Sequence, residues 1–166
     1  MKKIYLVIHI IRFNLVGYDA SEWSFTLERQ TEYLALLDEF LAECEKQKIG
    51  VILSFFWHYR SLSDYCNEGY HQWGNPNSKT FKTMQDFTTV IVERYKENPV
   101  IWGWEAGNES AAEAVIPEQY KRGPYSLTVA ECATVYQGFS AIVRKLAPTI
   151  GCFPPAMACP IRRRII

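Results

Sequence analysis

Three short apolar runs punctuate the chain: Ile4 to Leu15, Val51 to Trp57 and Val100 to Ala106. The first is rich in β-branched residues and ends at the turn signal Gly17-Tyr18-Asp19. The second follows Gly50 and is apolar except for Ser54. Runs of this length, with little polar alternation, predict strands of a parallel sheet buried on both faces. Between them the period lengthens. From about Leu27 to Lys48, Tyr33, Leu37, Phe40, Leu41 and Cys44 recur at steps of three and four, which predicts an amphipathic helix. A second helix starts at the N-cap Ser78, carries Phe81, Met84, Phe87, Ile91 and Tyr95, and stops at Asn98-Pro99. A third opens on Thr128-Val129-Ala130-Glu131, a capping-box sequence, and presents Cys132, Val135, Tyr136, Phe139, Ile142, Val143 and Leu146 before Pro148.

Strand and helix thus alternate three times, the pattern of a parallel sheet with crossover helices. Each helix-to-strand link is a few residues. The strand-to-helix links are long, from about Val16 to Thr26, His58 to Asn77 and Glu109 to Leu127. An α/β barrel carries its chemistry on loops at the C-terminal ends of its strands. These loops hold Trp23, Tyr59, Tyr65, Tyr70, His71, Trp73, Tyr120 and Tyr125.

Composition narrows the possibilities. Lys plus Arg equals Asp plus Glu at 18 each, so no global field draws in nucleic acid or an anionic membrane. The triplet Arg162-Arg163-Arg164 reads as a solvated chain end. The five cysteines, Cys44, Cys66, Cys132, Cys152 and Cys159, show no Cys-x-x-Cys pair, and His9, His58 and His71 have no metal-ligand spacing. Neither a metal nor another cofactor is expected. Lys2-Lys3 and the apolar run to Ile11 have the start of a signal peptide, but Arg12 ends the run without a small-residue cleavage pattern, so a strand is favoured and the compartment stays open. The run is too short to span a bilayer.

The most informative stretch runs from Arg94 to Glu109 and reads RYKENPVIWGWEAGNE. Strand alternation puts Gly103, Glu105, Gly107 and Glu109 on one face, with Trp102 and Trp104 on the other, toward the helices. Two glycines leave room in a barrel interior, and Glu109 falls at the C-terminal lip. A carboxyl held against aromatic walls stays protonated and can donate to a leaving oxygen. The stretch resembles strand four of the clan A retaining glycoside hydrolases, especially the cellulase-like family five and the β-mannanases. The resemblance implies an incomplete (β/α)8 TIM barrel made of three consecutive parallel βα units. It implies Glu109 as general acid/base and Asn108 as a ligand of the substrate's 2-hydroxyl. Ile11-Arg12-Phe13-Asn14-Leu15 resembles the family's strand two, where an arginine steadies the nucleophile, and Ser54-Phe55-Phe56-Trp57-His58 resembles strand three, whose His58-type residue lines the sugar site. Trp57, Tyr59 and Trp73 are candidate stacking platforms; Glu105 reads as a buried hydrogen-bond partner.

The resemblance covers residues 10 to 148, strands two to four of eight, whereas a full barrel needs roughly 250 residues. Retaining hydrolysis uses two carboxyls about 5 Å apart, and no residue matches the family's nucleophile, so none is assigned. Residues 1–150 are expected to form the partial barrel domain and 151–166 an irregular tail produced by a shifted reading frame or truncation. The expected activity is that of a glycosidase fragment acting on a β-linked glucan or mannan, inactive by itself. The alternative is a non-catalytic carbohydrate-binding or vestigial protein. A carbohydrate is the expected partner, and exposed sheet edges predict self-association.

Overall fold

The computed structural model describes residues 9–108 and 127–153. Four parallel strands form one sheet: β1 (Ile10–Asn14), β2 (Gly50–Phe56), β3 (Ile101–Gly107) and β4 (Gly151–Phe153). Their spatial order is their chain order, β1-β2-β3-β4, so the sheet advances in one direction without the reversal of a doubly wound fold. β4 pairs with β3 from Gly103↔Gly151 to Glu105↔Phe153. This corrects the expectation of an irregular tail over its first three residues: the sheet continues into a fourth strand.

The crossovers contain α1 (Ala20–Glu28), α2 (Gln30–Lys46), α3 (Tyr59–Cys66), a 3₁₀ turn (Tyr70–Gly74), α4 (Lys79–Tyr95) and α5 (Val129–Leu146). Two of the long strand-to-helix links are therefore folded, into α1 and into α3 with its 3₁₀ turn; the third, after Asn108, lies largely outside the described residues. Local chemistry sets the helix starts. The Asp19 carboxylate caps α1 by accepting from the amides of Ser21 and Glu22. Ser78 accepts from the Phe81 amide, and Thr128 and Glu131 close the reciprocal capping box of α5.

Period two divides the sheet into two unlike faces. Phe13, Val51, Leu53, Phe55, Trp104 and Ala106 form the helix-facing side, and the last five are fully buried. Phe13 stacks on Phe40 of α2 at 4.1 Å, while Phe55 meets Phe87 of α4 at 5.9 Å and Phe139 of α5 at 5.1 Å. All five apolar positions expected for α4 are buried.

The opposite face carries Arg12, Asn14, Ile52, Ser54, Gly103 and Glu105, aligned through the pairings Arg12↔Ile52↔Gly103 and Asn14↔Ser54↔Glu105. Here one expectation is corrected. The register slips between Val51 and Ile52, which pair with Ile101 and Gly103, so Trp102 occupies a bulge. A Cβ on Gly50 would lie 2.2 Å from the Trp102 ring, which places that ring over the Gly50 side of the sheet, away from the helices. Trp102 is 52% exposed there, whereas Trp104 packs on the helical side as expected. The room left by Gly103 is filled by Phe153 of β4: a Cβ would sit 2.5 Å from that ring.

Candidate active site

At the C-terminal ends of β1, β2 and β3, a single guanidinium gathers the polar groups. Arg12 starts on β1, and its side chain crosses β2 to reach β3. Its Nε donates to the Glu105 carboxylate. Its Nη1 donates to Asn108 Oδ1 at 3.0 Å, and its Nη2 to the Gly107 carbonyl at 3.3 Å. The Trp57 ring covers the guanidinium, with Cζ 4.5 Å from the ring centroid. Adjacent strands lie about 4.8 Å apart, so two long side chains are needed to span the middle strand; Arg12 and Glu105 supply them. The Glu105 side chain is 9% exposed and that of Arg12 30%, so the ion pair is screened from water on the carboxylate side.

Backbone proximity sharpens the geometry. At Gly107 a Cβ would lie 2.2 Å from the Phe56 carbonyl oxygen and 3.3 Å from the Tyr59 hydroxyl. β2 and β3 therefore converge at their C-terminal ends, where a side chain at 107 has no room. That convergence brings Trp57, just past β2, beside Arg12 and near Asn108, just past β3.

The sequence-predicted residues separate into four groups. Arg12, Asn108 and Trp57 come together as described. Tyr59 and Trp73 do not present faces to a ligand, which corrects their reading as stacking platforms. Trp73 is fully buried and Tyr59 4% exposed. Their rings meet edge-on at 4.7 Å, and Trp73 Nε1 donates to the Tyr59 carbonyl at 2.9 Å. With Trp23 and Phe56 they form an aromatic layer under the strand ends, because the loop that carries them folds inward as α3 and the 3₁₀ turn. His58 is exposed at the start of α3, 6.4 Å from the Tyr18 ring. Tyr18, 63% exposed after β1, is a rim residue that the turn signal Gly17-Tyr18-Asp19 marked without assigning a role. Glu109, the expected acid/base, lies outside the described residues.

An apolar cavity of about 520 Å³ lies elsewhere, between β1, α1 and α2, lined by Phe13, Leu15, Phe25, Tyr33, Leu37 and Phe40 among others. It opens on the helical side of the sheet, away from Arg12 and Asn108. Among the described residues no group of three or more His, Cys, Asp or Glu side chains is arranged to hold a metal ion, and no helix is long and apolar enough to cross a membrane.

Fold and site together define a partial (β/α)8 barrel with an arginine-centred polar cluster at its strand ends. The chain matches no protein-family profile. It is 30% identical over 97 residues to mannan endo-1,4-beta-mannosidase F of Aspergillus clavatus, a match covering 55% of this chain and 22% of that enzyme. In structure it resembles the virulence factor SghA of Agrobacterium tumefaciens, with a TM-score of 0.63 at 12% identity, over 88% of this chain and 32% of SghA. The complex of SghA with its substrate analog salicin gives a TM-score of 0.60 over the same shares of the two chains. The chain thus spans about a fifth of the curated relative and about a third of the solved structures.

Proposed function

We infer that this chain is part of a retaining glycoside hydrolase acting on a β-linked polysaccharide, with β-mannan favoured over glucan by the likeness to the mannosidase. The observation that carries the reading is the Arg12–Asn108 contact beside Trp57, which ties two sequence-distant candidate residues to one strand-end cluster. An arginine held by a carboxylate, an asparagine amide and an indole face form a donor-rich, partly apolar surface suited to hydroxyl groups on a flat ring. In this reading Glu109, next to Asn108 in the chain, protonates the leaving oxygen, and a nucleophilic carboxylate about 5 Å from it attacks the anomeric carbon. The nucleophile is not assigned to any residue of this chain, so double displacement is expected only where further barrel strands supply it. The outer edges of β1 and β4, which pair with no strand among the described residues, are proposed as the surfaces through which such strands, or a second copy, associate.

Titration of the 166-residue chain with mannohexaose and cellohexaose, followed by tryptophan fluorescence, tests this. Saturable binding of mannohexaose that is lost in Trp57→Ala is expected, and in an enzyme completed by the further strands Glu109→Gln should lower mannan hydrolysis at least about 100-fold. Failure to bind either oligosaccharide would exclude the reading.

A further inference from the structure

We propose that Glu105 is a positioning residue that, through Arg12, sets the side-chain amide of Asn108 as a hydrogen-bond donor pointing away from the guanidinium, free for a ligand. The proposal rests on the carbohydrate reading above for the ligand, and on geometry alone for the coupling.

Arginine has donors and no acceptor. The atom of Asn108 that meets Arg12 Nη1 at 3.0 Å must therefore be the carbonyl oxygen, and the Nδ2 group is turned away from the guanidinium. An asparagine without such a neighbour can present either end. Arg12 makes this choice only while its plane is held, and three contacts hold it. Nε is drawn to the buried Glu105 carboxylate, Nη2 to the Gly107 carbonyl, and the flat face to Trp57. Among these, Glu105 is the charged partner and the one on the sheet's interior side. It is 7% exposed and stands in register with Ser54 and Asn14, whose buried Oγ and Oδ1 have no hydrogen-bond partner among the described residues. The row offers Arg12 no competing carboxylate. With a neutral side chain at 105, the guanidinium loses its only charged contact among the three and is held less firmly against solvent, where its own side chain is already 30% exposed. Asn108 then loses the constraint that fixes its amide.

A substrate oxygen would be recognised by the Nδ2 hydrogens, so the effect of Glu105 should appear in ligand affinity even though its carboxylate does not touch the ligand. A plain counter-ion role would instead lower stability and leave the amide and the affinity alone.

The test uses the intact 166-residue chain labelled with nitrogen-15. The side-chain amide pair of Asn108 is assigned by its disappearance in Asn108→Asp. Glu105→Gln is expected to shift or broaden that pair and to weaken mannohexaose binding about tenfold. Arg12→Lys, which keeps the charge but cannot hold Glu105 and Asn108 with one planar fork, should do the same. Glu105→Gln combined with Asn108→Ala should bind no more weakly than Asn108→Ala alone. If Glu105→Gln lowers Tm while the Asn108 pair and the affinity stay unchanged, or if the two substitutions simply add, the positioning role is refuted. Should Glu105→Gln fail to fold, Arg12→Lys decides by the same resonances. A wild-type chain that binds no mannohexaose removes the carbohydrate reading, and the amide pair alone then decides the coupling.

Discussion

The two faces of this sheet come from the same strands yet differ in what they require. On the helical side Val51, Leu53, Phe55, Trp104 and Ala106 are fully buried under α2, α4 and α5. On the other side three large apolar residues stay open, Ile10 at 46%, Trp102 at 52% and Phe153 at 44% exposure, around the polar row of Asn14, Ser54 and Glu105. One face is a finished core. The other stays open, with the Arg12–Asn108 contact at its C-terminal rim. The difference teaches that apolar packing and polar organisation are separated across a thickness of one strand: the helix-facing positions hold the sheet together, and the opposite positions hold Arg12 in place.

Truncation on the helical side should therefore have the largest effect. Phe55→Ala, which removes a ring packed against Phe87, Trp104 and Phe139, is expected to cost about 3–5 kcal/mol in urea denaturation. That is a large part of the stability of a small domain. An equal loss from Trp102→Ala would break the comparison. Next comes the seam between the faces. Gly107→Ala forces a methyl against the Phe56 carbonyl, a backbone atom that cannot rotate away, and is expected to cost about 1–3 kcal/mol by the same measurement.

Acid should attack the helical layer in a defined window. The Glu68 carboxylate accepts from the amides of Lys79 and Thr80 and from the Thr80 hydroxyl, which anchors the start of α4. Burial pushes its pKa up, but the Thr80 hydroxyl and the two amides pull harder, so the folded value lies below the ordinary 4.5. A depressed folded value means the contribution is complete above pH 4.5 and is lost as pH falls through the folded value. Tm measured from about pH 6 down to about pH 3 should fall, and Glu68→Gln should flatten that fall. The smallest effect on stability is expected on the open face. Trp102→Ser should change Tm little, by less than about 1 kcal/mol in stability, while reducing concentration-dependent association in sedimentation velocity. Unchanged association would mean that the open face is not the sticky one.

What could be read from the residues in order was whatever local physics governs. The strand cores of β1, β2 and β3 followed from short apolar runs. The buried stripe of α4 followed from Phe81, Met84, Phe87, Ile91 and Tyr95, and the start of α5 from its capping box, because each depends on neighbours within a turn or a pleat. Helices α1 and α3 were less legible, since their hydrophobic positions are interrupted and their stability comes from packing on one another and on the aromatic layer.

Contacts between residues far apart in the chain were decided only by the tertiary structure. Trp102 was expected among the helices, but a one-residue bulge in pairing with β2 turned it over, a change that no periodicity within 101–107 contains. Trp73 and Tyr59 were equally plausible as stacking platforms until α3 and the 3₁₀ turn folded them under the strand ends. The Arg12–Glu105 pair joins residues 93 positions apart across an intervening strand. Alternation supplies the face a side chain takes, and register supplies the partner it meets; the first is local along the chain, and the second exists only once separate strands are aligned.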